Sequence, residues 1–282
     1  ATVTVLFLSD VVSNYINANN YIITRTYRAT DGSNNSITCS QQIAVRDLIP
    51  PTITCPGDVK LNCAGDVPMA DIGNVIAKDN CDGQVDISFN GDIISNQICP
   101  NRFSISRTYR VSDLSGNTHI CVQTLTVNDL TLPSINCPGN FTVSCASEVP
   151  PANAMAIVAT DGCGGNVAVI HHKDSIVDFI CVNRYLIHRI YKAIDACGNE
   201  AFCTQLITVE DLTGPGIVCP PSLTINCESP SDTSQTGIPQ ITDRCGGQFV
   251  QLNHSDNRVD GSCNYNYEIQ RSWTATDLCN NS

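Results

Sequence analysis

Thr126-Val127-Asn128-Asp129-Leu130-Thr131-Leu132-Pro133-Ser134-Ile135-Asn136-Cys137-Pro138 decides how this chain is read, because its pattern occurs three times. The other copies run from Asp47-Leu48 to Pro51-Thr52-Ile53-Thr54-Cys55-Pro56 and from Asp211-Leu212 to Pro215-Gly216-Ile217-Val218-Cys219-Pro220. Cys55, Cys137 and Cys219 stand 82 residues apart. A period this long makes each repeat a whole domain rather than one coil of a solenoid. The chain therefore divides into the C-terminal part of a module at 1–50, complete modules at 51–132 and 133–214, and a module at 215–282 that lacks its last strand. Residue 1 aligns with Gly83, and Ser282 with Thr118 and Glu200, so we expect flanking modules or neighbouring subunits to complete both ends.

Working outward from the junction, each repeat reads as short strands. In 51–132 the signals fall at Thr52–Cys55, Val59–Cys63, Ile72–Ala77, Val85–Phe89, Phe103–Val111 and Thr118–Val127, separated by Pro, Gly, Asn and Asp clusters. In 1–50 the alternating runs are Val3, Val5, Phe7, then Tyr21 to Ala29, then Ile37 to Val45 after an Asp31–Asn35 turn. No helical period is sustained. The expected fold class is all-β: tandem immunoglobulin-like β-sandwich modules with an 82-residue period, stapled by disulfides, with a barrel as the weaker alternative.

Seventeen cysteines in 282 residues point to an oxidising, extracellular setting. Their spacings of 8, 18, 18 and 22 residues do not match zinc knuckles. A net charge of −12 argues against nucleic acid as a partner, and no apolar run is long enough for a membrane span. No nucleophile elbow, metalloprotease helix or phosphate loop occurs, so the expectation is a non-enzyme.

At Cys55-Pro56, Tyr109, Asp113, Ser115-Gly116-Asn117 and Cys121 the pattern resembles the hyaline-repeat (HYR) family and related immunoglobulin-like modules of bacterial surface proteins. The resemblance implies an extracellular adhesive or structural module, in long tandem arrays like those of Bacteroidota adhesins. It also implies that the opening cysteine meets the cysteine of the closing strand, Cys55 with Cys121 and Cys137 with Cys203. The additional Cys63, Cys81 and Cys99 depart from the minimal pattern.

Two pairings stay open for the remaining cysteines. Alternating strand directions favour Cys145 with Cys181 and Cys163 with Cys197, which is the preferred scheme. The joint replacement of both later positions in the first fragment, by Asn17 and Ser33, favours Cys145 with Cys163 and Cys181 with Cys197. Cys227, Cys245, Cys263 and Cys279 repeat these positions. Ser115 stands where Cys197 and Cys279 stand later, leaving the 51–132 module five cysteines. One of them is then a buried free thiol or a covalent link to a neighbouring chain.

Two further patterns recur. Arg107, Arg189 and Arg271, like Arg25, fall on the core side of their strand two residues before Tyr109, Tyr191, Trp273 and Tyr27. Burying an isolated guanidinium is costly, so an Asp partner and an aromatic ring are expected beside each. Aspartates also recur at the joints, with expected clusters Asp47, Asp79, Asp113; Asp129, Asp161, Asp195; and Asp211, Asp243, Asp277. Close carboxylates repel, and a structural Ca2+ would relieve that; the alternative is that each Asp fixes a turn. Glycosylation acceptors are Asn34, Asn140, Asn253 and Asn280, with Ser175 for O-linked sugar. The expected function is a structural fibre or stalk at the cell surface, its partners other copies or flanking modules. The second reading is an adhesin binding a glycan or protein.

Overall fold

Alternation on long hairpins builds the sheets. The computed structural model describes residues 2–81, 83–226, 228–246, 250–262 and 266–282. It divides into two compact units, 1–131 and 132–282.

In the first unit, β1 (Thr4–Asn17), β2 (Asn20–Thr30) and β3 (Ser36–Arg46) form an antiparallel three-stranded sheet. Next come β4 (Thr52–Thr54), β5 (Val59–Leu61), β6 (Ile76–Lys78), β7 (Asp86–Cys99), β8 (Arg102–Ser112) and β9 (Thr118–Asn128). β4 pairs with β6, while β5, β9, β8 and β7 lie side by side in a four-stranded sheet. β5 runs parallel to β9, which the long connection between them permits. The period-2 pattern sets the inward face of β8: Phe103, Ile105, Arg107, Tyr109 and Val111 are buried. Phe103 and Ile105 join Leu125 and Val127 of β9 in a core covered by Val59, Leu61, Ala64 and Val67. Cys55, just after β4, is bonded to Cys121 of β9 across a sequence separation of 66 residues, clamping the two layers.

The second unit repeats the plan. Its strands are β10 (Ser134–Ile135), β11 (Phe141–Val143), β12 (Ala159–Thr160), β13 (Ala168–Cys181), β14 (Arg184–Ile194) and β15 (Glu200–Glu210). β10 pairs with β12, and the order β11, β15, β14, β13 matches the earlier sheet. Ile187, Ile207 and Val209 form the core under Phe141, Val143, Ala146 and Val149. Cys137 is bonded to Cys203. The last repeat contributes β16 (Gly216–Val218) paired with β17 (Gln240–Thr242), and β18 (Gln251–Asp260) paired with β19 (Tyr267–Thr276). The tandem all-β sandwich architecture, with six disulfides among the described residues, is thus established.

Three local expectations change. The strand expected at Val85–Phe89 is the start of the fourteen-residue β7. Asn90-Gly91 and Ser95-Asn96 look like turns in sequence, but the hairpin absorbs them as register shifts, with Gly91 at φ 126° and Asn96 at φ 53°. Ile72–Asn74 is a 3-10 turn begun by Asp71, whose side chain accepts from the Gly73 N–H, and only Ile76–Lys78 is extended. A single helical turn, α1 (Thr233–Thr236), also interrupts the strand pattern.

Candidate functional site at the module joints

The joint within the second unit is built from two loops. At the β19 end, Asp277 organises Asp277-Leu278-Cys279-Asn280-Asn281. Its Oδ1 accepts from the N–H groups of Cys279 (2.7 Å) and Asn281 (2.8 Å), and its Oδ2 from Asn281 Nδ2 (2.8 Å). The turn needs a left-handed residue, supplied by Asn280 at φ 64° and by Gly116 and Gly198 in the earlier copies. The loop then reaches across the joint: Asn281 Nδ2 donates to the Asp211 carbonyl at 3.1 Å, and Arg184 Nη2 donates to the same oxygen at 2.7 Å. Asn183 fills the space between, its Oδ1 accepting from Ala146 N–H and its Nδ2 donating to the Cys245 carbonyl. The first unit has the same device, where Asp113 fixes its loop and Asn117 Nδ2 reaches the Asp47 carbonyl at 3.1 Å.

Two disulfides cross this joint. Cys145 is bonded to Cys245 and Cys181 to Cys279, with Cα–Cα distances of 5.1 and 5.3 Å. Both pairings expected from the sequence are therefore corrected. Cys145 meets neither Cys181 nor Cys163, and Cys181 does not meet Cys197. The physical reason is that the loops bearing Cys145 and Cys181 sit at the end of their module facing the next one, where the loops bearing Cys245 and Cys279 stand within disulfide reach. Cys63, Cys99, Cys163 and Cys197 are also disulfide-bonded. Cys227 and Cys263 lie outside the described residues. Cys81, a candidate for a buried thiol, is instead exposed, as are the free Cys39 and Cys219.

The acidic positions gather in part as expected. Ligand atoms of Asp211, Asp243 and Asp277 lie within 4.8 Å of one another, beside a cavity of about 320 Å³ lined also by Asn183 and Leu278. In the first unit the group is Asp47, Asp79 and Cys81, so a thiol takes the place expected for Asp113. Each carboxylate also fixes its own turn: Asp47 accepts from Ile49 N–H, Asp79 from Cys81, Asp211 from Thr213 and Asp243 from Cys245. Asp129 and Asp161 do likewise with Thr131 and Cys163. Against a purely local role, Asp47 Oδ2 and Asp161 Oδ1 are buried with no hydrogen-bond partner among the described residues. A buried carboxylate oxygen in that state fits a hard cation such as calcium, and the Asp211 group supplies oxygen donors alone.

The core-side arginines have cross-strand partners that the sequence reading did not name. Arg107 holds Asp92 through Nε and Nη2, both at 2.9 Å, and Arg189 holds Asp174 while its Nη1 donates to the Pro150 carbonyl at 2.8 Å. Arg25 with Asp10 and Arg271 with Asp256 repeat the pair. The ring under the Arg107 guanidinium is Phe89 of β7, and for Arg271 it is Trp273. Tyr109 and Tyr191 are buried in the core. The signal for the aspartates was present, since positions 10, 92, 174 and 256 share the 82-residue register and face their arginines across the hairpin.

The Arg189–Asp174 pair makes a pH-dependent contribution to stability. Hydrogen bonds from Arg189, opposed by burial and aided by His171, hold the Asp174 carboxyl below the usual range. Asp195 is also lowered: burial pushes it up, but bonds from Asn199, Cys197 and Gly198 outweigh it. A depressed native pKa contributes stability above the unfolded value of about 3.9 and loses it as pH falls through the native value. Chemical unfolding at stepped pH should therefore find the contribution intact at neutral pH and lost progressively below about pH 4. Stability that rises on acidification through that window contradicts the assignment.

Of the glycosylation candidates, Asn34, Asn140, Asn253 and Asn280 are exposed and Ser175 is half-buried. Asn140 is engaged through Oδ1, which accepts from the Leu206 N–H.

Comparison with known proteins gives distant matches. No protein-family model matches. The chain is 29% identical over 175 residues to "Sushi, von Willebrand factor type A, EGF and pentraxin domain-containing protein 1" of Rattus norvegicus, and equally so to its Mus musculus counterpart. Each match covers 60% of this chain and 5% of the relative's length. Among solved structures, extracellular cadherin domains 1–4 of protocadherin gamma B7 align over 98% of this chain and 84% of theirs, at 15% identity and a TM-score of 0.31. The protocadherin gamma B4 extracellular domain aligns over 97% of this chain and 60% of its own, at 13% identity and a TM-score of 0.30. Superpositions this loose say nothing about what this chain binds.

Proposed function

We propose that this chain is a stretch of a non-enzymatic extracellular fibre or stalk, made of the modules 1–50, 51–132, 133–214 and 215–282, in which the joint between 133–214 and 215–282 is closed covalently. The observation that carries the reading is the pair of disulfides Cys145–Cys245 and Cys181–Cys279, both running from one repeat to the next. Neighbouring domains joined by a linker move relative to one another by default. One staple leaves a pivot, whereas two at separate points hold an orientation. Spending four cysteines on orientation serves length and stiffness, not a reaction. Disulfides also require an oxidising compartment. The resemblance to tandem surface modules supports a place at the cell surface, with flanking modules or other copies as partners.

Negative-stain electron microscopy of native material, before and after reduction, tests this. Uniform filaments that turn floppy with reductant are expected; particles already bending freely at every joint in oxidising buffer overturn it.

Calcium at the acidic joints deepens the proposal, supported by the unpartnered Asp47 Oδ2 and the oxygen-only Asp211, Asp243, Asp277 group. Extracellular modules bind calcium at about 0.1–1 mM. Addition of about 1 mM calcium should raise Tm, because a ligand of the native state alone stabilises it. An unchanged Tm removes calcium and leaves the covalent joint standing.

A further inference from the structure

At the joint between 1–50 and 51–132, one pair of positions that carries a disulfide in the second unit carries other side chains. Asn17 stands in the register of Cys181, and Ser115 in that of Cys279. The separation from 17 to 115 is 98 residues, the same as that of the Cys181–Cys279 bond. The backbones that present the two pairs agree. β1 and β13 both shift register just before the position concerned, at Ser13/Asn17 and Val177/Cys181, with Asn14 at φ 49° and Asp178 at φ 50°. On the other side, Asp113 Oδ1 accepts from Ser115 N–H at 2.9 Å as Asp277 Oδ1 does from Cys279 N–H at 2.7 Å. The contact itself survives the change of chemistry: Asn17 Nδ2 donates to the Leu114 carbonyl at 2.8 Å and to Ser115 Oγ at 3.3 Å.

We infer that Asn17 and Ser115 form a non-covalent rung in place of the disulfide that occupies their register in the second unit, and that this rung is a compliant, reductant-insensitive point of its joint. This inference rests on the covalent-joint reading proposed above. A disulfide keeps its two ends together until it is reduced. Half-exposed hydrogen bonds open and close against water at little net cost. Bending or twisting under load then concentrates where the rung is Asn–Ser, while the Cys181–Cys279 joint transmits the load unchanged.

The full chain carrying Asn17→Cys and Ser115→Cys, oxidised in air, tests this by non-reducing peptide mapping and by amide hydrogen exchange. The expected results are a disulfide joining positions 17 and 115 in the variant and, in the unaltered protein, faster exchange over 46–51 than over 210–215. That excess should be lost in the oxidised variant and return on reduction. Asn17→Ala, which removes the donor and adds no new bond, should speed exchange over 46–51 further. Thiols at 17 and 115 that stay reduced in the folded variant overturn the geometry. Equal exchange at the two joints of the unaltered protein, or no response to Asn17→Ala, overturns the compliance. Mapping of Cys181–Cys279 in the same digest separates either failure from failure of the covalent-joint reading.

Discussion

Replacing Cys245 and Cys279 together by Ser should let the last repeat unfold as a separate, earlier transition. In the chain-entropy account each bond closes a loop of about 100 residues and contributes on the order of 4–5 kcal/mol. The sequence separations are 100 and 98. The two contributions are not additive, because both loops contain residues 181–245. The effect is large for a second reason: β16 and β17 are each three residues long, and β18–β19 is a two-stranded hairpin, the kind of element that is marginal alone. Calorimetry should show one transition in the oxidised chain splitting into two in the variant, the earlier lower by several degrees. A variant that still melts as one unit at the original temperature means that hydrogen bonds such as Asn281 to Asp211 hold the joint alone.

Asp174→Ala should be among the most damaging single substitutions away from the cysteines, costing about 3–5 kcal/mol. It strands the guanidinium of Arg189, a residue only 5% exposed, whose Nη1 would still donate to the Pro150 carbonyl but whose Nε and Nη2 would lose their carboxylate. The aspartate itself is partly exposed, so the damage comes from the charge left behind, not from the carboxylate removed. Hence Arg189→Met with Asp174→Leu should recover much of the loss, since an apolar pair of similar volume needs no partner. Urea unfolding of the two singles and the double separates these terms. A double variant as unstable as Asp174→Ala shows that the pair supplies net stability beyond satisfying its own charges.

The fold was legible because it is periodic. Alternation at Phe103, Ile105, Arg107, Tyr109 and Val111 identified a buried face, and the Cys-Pro junction set the repeat. Length was harder to read, since Gly91 and Asn96 look like hairpin turns unless a partner strand is known to run past them. The cysteine pairing was missed for a specific reason: both schemes assumed that a module closes on itself. The loss of cysteine at Asn17 was set beside Ser33, in the same repeat, when its true companion is Ser115, one repeat on. Register alone cannot separate these, because positions 82 apart look the same in sequence; only the placement of loops at the module ends does. The acidic joints were visible as recurring aspartates, yet turn-fixing and cation-binding use the same residue, so sequence could not divide the two roles. Asn183, Arg184 and Asn281, which tie the joint together, carried a signal in their recurrence as Asn101, Arg102 and Asn117. They passed unnoticed because Asn is common in turns.

The most direct test of the covalent joint is non-reducing proteolysis with mass spectrometry on the oxidised chain, with thiols blocked before digestion. The account predicts peptides joining Cys145 to Cys245 and Cys181 to Cys279, separable only by reductant. Peptides joining Cys145 to Cys181 within one module would contradict it, and with it the stiff array.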